Sequence, residues 1–222
     1  VDRGEKVRIK DINFYGNGGV KDFTLARAMK KTKSNKFYNF FSSKKFNEKE
    51  YPNDKNNMIS KFQEAGYRDA RIIRDSIYYV EPGRLAIDFE FDQGKKYYFR
   101  DITWTGNSVY STNDLNEILK IKKGDPYDVV TMKHRLSGGG KQTDQDVAKI
   151  YRDNGYLFFD INPVELNITG DSVDVEIRVT EGKQATLNNI VINGNDLTSE
   201  KVVRRQIFTR PGYLFSQSDF ER

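Results

Sequence analysis

Three places in the 222-residue chain have residue types that could do chemistry. Gly138-Gly139-Gly140-Lys141 has the composition of a loop that cradles phosphate. That loop also requires Gly five residues before Gly140, where Arg135 stands, and Ser or Thr after Lys141, where Gln142 stands. The run therefore reads as a glycine-rich connector. His134 is the only histidine, and the chain has no cysteine, so neither a thiolate nor a second imidazole can complete a metal set. It reads as a polar surface residue. Asp171 and Asp174 fall at a hairpin and on the wet face of a strand, where carboxylates are expected anyway. No nucleophile with a positioned base can be proposed. The reading is of a chain with no enzymatic activity, no metal and no cofactor.

What remains is binding chemistry. Lys36-Phe37-Tyr38-Asn39-Phe40-Phe41, with Lys44-Lys45-Phe46, mixes stacking rings with cations, as a single-stranded nucleic-acid module would. Against that alternative, no nucleic-acid motif appears and the strand faces carry Asp and Glu. The 37 basic residues are nearly balanced by 32 acidic ones, for a net charge of +5. A charge this evenly mixed reads as a solvated surface, so no nucleic-acid partner is expected; tight, strongly salt-dependent oligonucleotide binding would say otherwise. Phe37, Tyr38, Phe40, Phe41 and Phe46 are nevertheless too many large rings for a solvated connector. Either they pack beside their own helices or against the next repeat, or they form a docking patch for an accessory subunit, a client or the membrane surface.

The elements that must position such groups come in a tandem array. Gly4 and Gly16-Asn17, Gly94 and Gly106-Asn107, Gly182 and Gly194-Asn195 are each a Gly followed twelve residues later by Gly-Asn. The turn glycines at 16, 106 and 194 are 90 and then 88 residues apart. Ahead of each turn stand Ile12 and Phe14, Ile102 and Trp104, Ile190 and Ile192, pairs that lie on one side of a short strand. A helix follows each turn, capped at Thr24, at Thr112 or Asn113, and at Ser199. Leu25, Ala28 and Met29 form its apolar stripe in the first copy; Leu115, Ile118 and Leu119 in the second; Val202, Val203 and Ile207 in the third. A second helix is predicted over 54–65 with Met58, Ile59, Phe62 and Ala65, and over 144–154 with Val147, Ile150 and Tyr151. Each ends in Gly-Tyr, at Gly66-Tyr67 and Gly155-Tyr156, the glycine supplying a left-handed cap onto which the tyrosine folds back.

Two strands close each unit. The first is predicted over 70–80 and 157–168. In the second, Leu85, Ile87, Phe89 and Phe91 alternate with Ala86, Asp88 and Glu90, and Val173, Val175, Ile177 and Val179 alternate with Asp174, Glu176 and Arg178. Strict period-two alternation puts one face on a core and one in water. The unit is strand-helix-helix-strand-strand, an α+β fold in two layers. Its first core should hold Phe14, Leu25, Met29, Phe62, Leu85, Ile87 and Phe89. The second should hold Trp104, Leu115, Leu119, Ile150, Val173, Val175 and Ile177. The expected domains are 1–94, in which residues 1–5 are the tail of a preceding unit, 95–182, and an incomplete third over 183–222. No apolar run approaches the roughly 20 residues a spanning helix needs, and a chain starting at Val1 without a leader pattern reads as a piece of a longer protein.

The element order, the Gly-Asn after strand one, the Gly-Tyr after helix two and Glu181-Gly182 resemble POTRA repeats, the polypeptide-transport-associated domains. Lys44 to Tyr51, Gly66 to Ala70 and Gly155 to Asp160 are most similar to the BamA-like outer-membrane barrel-assembly family. Two features depart from the pattern: the long insert between the helices of copy one, and Ser137-Gly138-Gly139-Gly140 where a continuous helix is expected in copy two. The resemblance implies tandem repeats with a three-stranded mixed sheet covered on one face by two helices. It implies a scaffold on the periplasmic face of the outer membrane of a Gram-negative bacterium. Its partners would be unfolded outer-membrane β-barrel proteins and accessory lipoproteins, and its membrane contact would run through a C-terminal barrel absent from these residues. A two-partner secretion transporter is the alternative within this class.

The family fold also places the last strand centrally and leaves the strand after Gly-Tyr at the sheet edge. An edge offers unpaired N–H and C=O groups to any extended chain. In copy two Pro163 interrupts that strand. In copy one it is uninterrupted, and Arg71, Ile72, Ile73, Arg74, Ser76, Ile77, Tyr78 and Tyr79 are the candidate client-binding residues. The alternative is an ordinary edge guarded by Arg71, Arg74 and Asp75 or covered by a neighbouring unit.

Overall fold

In a computed structural model of the chain, the structure describes residues 7–30, 32, 46–138, 146–194 and 197–222. The chain divides into two compact units. The first comprises residues up to Phe99 with segments 124–130 and 169–172; the second comprises the rest.

The first unit is built on a three-stranded sheet. Strands β1 (Arg8–Tyr15), β2 (Arg71–Glu81) and β3 (Arg84–Asp92) take the order β1-β3-β2, with β3 parallel to β1 and antiparallel to β2. The alternation read from the sequence explains the central place of β3, since Leu85, Ile87, Phe89 and Phe91 are all buried. Helices α1 (Asp22–Ala28) and α2 (Tyr51–Glu64) cover that face. Phe14, Leu25, Met29, Met58 and Phe62 complete the core, with Phe14 stacked 5.9 Å from Phe89. Thr24 does not cap α1. The helix begins earlier, after an extended Lys21, and Thr24 lies inside it. Helix α2 also begins earlier than its periodicity predicts, because Pro52 is pre-shaped for a first turn that Tyr51 and Asp54 bury.

The second sheet has the order β4-β6-β5, from β4 (Tyr98–Thr105), β5 (Asp160–Thr169) and β6 (Ser172–Thr180). Val173, Val175, Ile177 and Val179 of β6 are buried, as are Trp104, Leu115 and Leu119. Helix α3 (Thr112–Leu119) is capped by Ser111, not by Thr112 or Asn113. The Ser111 hydroxyl accepts from the Asp114 N–H, and the Asp114 carboxylate accepts from the Ser111 N–H, a reciprocal capping box. A helix absent from the sequence reading, α4 (Val129–Ser137), precedes the glycine run. Helix α5 (Val147–Asp153) starts after Asp146, whose side chain accepts from Lys149 N. This phase turns Val147, Ala148 and Tyr151 inward and leaves Ile150 only half-buried, against expectation.

The repeated dipeptides do the same work in the first two copies. Gly16 and Gly106 have φ of +76° and +82°, and a Cβ there would stand 2.2 and 2.0 Å from the carbonyl oxygens of Phe91 and Val179. The turn asparagines lock behind them, Asn17 Nδ2 donating to Val20 O and Asn107 Nδ2 to Tyr110 O. Gly66 and Gly155 are left-handed, with the following tyrosine N–H returning to Phe62 O and Tyr151 O. The predicted first strand of copy three does not form. Residues 183–193 make one isolated bridge, Thr186 to Leu214, because β1 and β4 each pair with the last strand of their own repeat and the described residues of 183–222 contain none. Helix α6 (Glu200–Gln206) starts after Ser199, whose side chain makes no capping hydrogen bond, and it buries no residue: Val202 is exposed and Val203 and Ile207 are only half-buried.

A backbone clasp recurs in both units. In the first, Tyr97 N donates to Gly66 O, Tyr127 N to Tyr97 O and Phe99 N to Asp125 O. In the second, 88 or 89 positions on, Ala185 N donates to Gly155 O, Phe215 N to Ala185 O and Leu187 N to Tyr213 O. Tyr97 adds a side-chain bond to Asp69 at 2.8 Å. That carboxylate, with burial second, holds the phenol above its usual range. Ala185 cannot make that bond.

Candidate functional site

Strand β2 is a sheet edge, and its register decides which face each residue takes. Ile72 lies opposite Phe91, Asp75 opposite Phe89, Ile77 opposite Ile87 and Tyr79 opposite Leu85, so these share the helix-covered face. Arg74, Ser76 and Tyr78 take the open face, opposite Glu90, Asp88 and Ala86. The register shifts between Ile72 and Arg74 and again between Tyr79 and Glu81, leaving Ile73 and Val80 as extra, bulged residues. Bulges of this kind cannot be read from composition.

The two halves of β2 are held differently. In the first, Asp75 accepts from Tyr51 Oη at 2.8 Å and from Lys55 Nζ at 3.2 Å, tying the edge to α2. Burial, reinforced by the Asp75 carboxylate, pushes the Tyr51 phenol well above its ordinary range. Arg71 pairs with Asp92 and Arg74 with Glu90 across the open face. Among the described residues, the second half has no such cover. Ile77, Tyr78, Tyr79 and Val80 are exposed on both faces of the strand, Tyr79 at 65%. Tyr78 donates to Asp88, and burial followed by that carboxylate raises its phenol. Charges close the far end, where Glu81 meets Lys10 and Arg84.

Strand β5 occupies the corresponding edge of the second sheet and contains Pro163. Leu166 and Ile168 are exposed on it. Strand order shows a further edge that the sequence reading passed over: β1 pairs only with β3. Its register also shifts, between Ile9 and Asp11, which frees Lys10 to reach Glu81. The parallel pairing of first and last strands was the signal available for it.

Of the candidate docking residues, Phe46 is half-buried against the first core, edge-on to Tyr51 at 5.4 Å. Phe37, Tyr38, Phe40 and Phe41 lie outside the described residues. His134 is exposed, and no group of three metal-binding side chains occurs among the described residues. No described helix is long and apolar enough to cross a membrane.

Known proteins are similar to the chain in sequence and in fold. The family model described as POTRA, surface antigen variable number repeat, matches residues 7–94 and 97–182. A candidate outer membrane protein assembly factor of Treponema pallidum is 27% identical over 226 residues, covering 99% of this chain and 26% of that protein. The outer membrane protein assembly factor BamA of Neisseria meningitidis is 25% identical over 225 residues, covering all of this chain and 27% of that protein. The chain thus spans about a quarter of the length of these relatives. Among solved structures, POTRA3-5 of Haemophilus influenzae BamA superposes with a TM-score of 0.69 at 16% identity, covering all of this chain and 85% of that one. That likeness concerns the fold.

Proposed function

The chain belongs to the POTRA family, and from that premise we propose that it is a scaffold segment of an outer-membrane protein assembly factor, receiving unfolded β-barrel strands by pairing at the β2 edge. The observation that carries this reading is the second half of β2, where a backbone edge without a strand partner among the described residues coincides with Ile77, Tyr78, Tyr79 and Val80 exposed on both faces. Backbone groups pair with any extended segment, so one edge serves clients of many sequences. Apolar side chains above and below the edge add contact area without demanding a particular partner. Ion pairs at Arg71 and Arg74 keep the first half from serving equally well. The working side would be the periplasm, with accessory lipoproteins docking elsewhere on the repeats and a barrel outside these residues carrying out insertion. No step requires a catalytic group.

Photo-crosslinkers placed along residues 71–79 and, separately, 157–167 test the proposal in the presence of an unfolded barrel substrate. Capture should concentrate at 77–79. Proline removes a donor from β5 and blunts pairing there. Equal or stronger capture by β5 would overturn the assignment.

A further inference from the structure

The two backbone clasps share their hydrogen bonds and differ in the side chains set on them. Tyr97 and Ala185 hold equivalent places. Each donates its N–H to the carbonyl of the Gly-Tyr glycine, at 2.8 and 2.7 Å, and each accepts from a ring residue, Tyr127 or Phe215. Asp69 and Phe158 are also equivalent: a Cβ on Gly94 would lie 3.4 Å from Asp69 Cβ, and one on Gly182 3.8 Å from Phe158 Cβ. In the first clasp the place is filled and sealed. The Tyr97 ring occupies it, its hydroxyl donates to Asp69 at 2.8 Å, and Arg68 pairs with the same carboxylate. In the second, Ala185 brings a methyl where Tyr97 brings a ring, and Leu157 and Phe158 stand in for the two charges. Phe158 does not fold back over that place, since it is 75% exposed. Leu214 forms the wall that Pro126 forms in copy one, 3.4 Å from a Cβ on Gly155 as Pro126 is 3.3 Å from one on Gly66. The incomplete third copy is not the cause of the exposure, because Asp69 and Pro126 are exposed as well, although copy two is complete.

From this pairing we infer that the second clasp is a socket for one phenylalanine side chain of a polypeptide partner. The chain itself shows what fits, since copy one fills the same place with a ring of its own. Phenylalanine suits the socket better than tyrosine: the Tyr97 hydroxyl bonds to Asp69, and Phe158 offers no acceptor. Charge complementarity points the same way. Positions 157, 158 and 185 are uncharged where 68 and 69 form an ion pair, so a charged side chain entering here would lose water without gaining a counter-ion. A lone exposed ring is ordinary on a protein surface, but a ring beside a place shaped for a second one can pack against it, which adds to the gain from burial alone. Anchors of this kind, one aromatic side chain in a small recess, carry much of the affinity of protein interfaces. A lipid surface fits less well, because the exposed Asp160 follows Phe158 closely and would face anionic headgroups.

The inference rests on the chain being an interaction scaffold, but not on pairing at β2. The probe is N-acetyl-phenylalanine amide, too short to add a strand at an edge, titrated into the full 222-residue chain labelled with nitrogen-15. Saturable amide shifts should appear at 155–158 and 182–185. Phe158→Asp combined with Ala185→Tyr installs the copy-one arrangement and should weaken the probe at least about tenfold. The fold already carries that arrangement once, so the melting temperature should stay near that of the parent chain. The reverse exchange, Asp69→Phe with Tyr97→Ala, should create a second set of shifts at 66–69 and 94–97. Crosslinking at residues 77–79 should persist in all these variants, and residues 157 and 158 lie before β5, so capture there is read apart from that edge. Failure of the socket and failure of the edge reading are thereby distinguished. Equal shifts from N-acetyl-alanine amide would overturn the inference. So would an unchanged affinity in the Phe158→Asp, Ala185→Tyr chain, or no new shifts in a folded Asp69→Phe, Tyr97→Ala chain. Binding of phosphatidylglycerol vesicles that depends on Phe158, without shifts from the probe, would overturn it in favour of a lipid contact.

Discussion

Glu181 is a carboxylate held charged where little water reaches it. It is 9% exposed and accepts from Val109 N at 2.9 Å, from Tyr151 Oη at 2.8 Å and from the Ser108 hydroxyl. Burial opposes its charge, but the hydrogen bonds outweigh that and hold the carboxyl below its ordinary value of 4.5. A group whose folded value is depressed contributes stability above its unfolded value and loses it as pH falls through the folded one. Glu181→Gln should therefore cost about 1–3 kcal/mol near neutral pH and progressively less below about pH 4, read from paired urea titrations. Gly106 permits a sharper comparison. Gly106→Ala must adopt φ of +82° and also meet Val179 O, whereas Gly170→Ala at φ of +67° meets nothing within 4 Å. Both should lose about 1–2 kcal/mol to the left-handed backbone, and Gly106→Ala clearly more.

At the scale of the element, local rules predicted type better than limits. The period of β3 and β6 was enough to make them buried strands, and the Gly-Tyr pairs were enough to end α2 and α5. The start of α3 was misread, because Ser111, Thr112 and Asn113 are all capping types in a row. Only backbone geometry distinguishes them: Ser111 is extended, with ψ of 152°. Ser111→Ala should cost about 1 kcal/mol, while Thr112→Ala, inside the helix, should cost well under that; thermal melts of the two variants decide it. Ile150 was misassigned for a related reason. A start at Val147 fixes the helical phase, and periodicity alone left the start open by a few residues.

At the scale of the molecule, stability should be unevenly spread. Strands β3 and β6 sit centrally and bury their inner faces, whereas α6 buries nothing. Amide exchange should be slowest in 85–91 and 173–179 and fastest, by orders of magnitude, in 200–206. Protection of α6 equal to that of β3 would mean its apolar stripe finds a cover in solution.

By itself the sequence determined the repeat, the two-layer unit, the central strands and the residues of the first core, including Phe14, Met29, Phe62 and Phe89. These follow from side-chain periodicity and from turn residues, both of which act within a few positions of one another. Tertiary structure decided what depends on partners distant in the chain. The bulges at Ile73 and Val80 arise from matching β2 to β3, and β1 is an edge because β3 takes its only pairing. Glu181 stays ionised because Ser108 and Tyr151 converge on it from other elements.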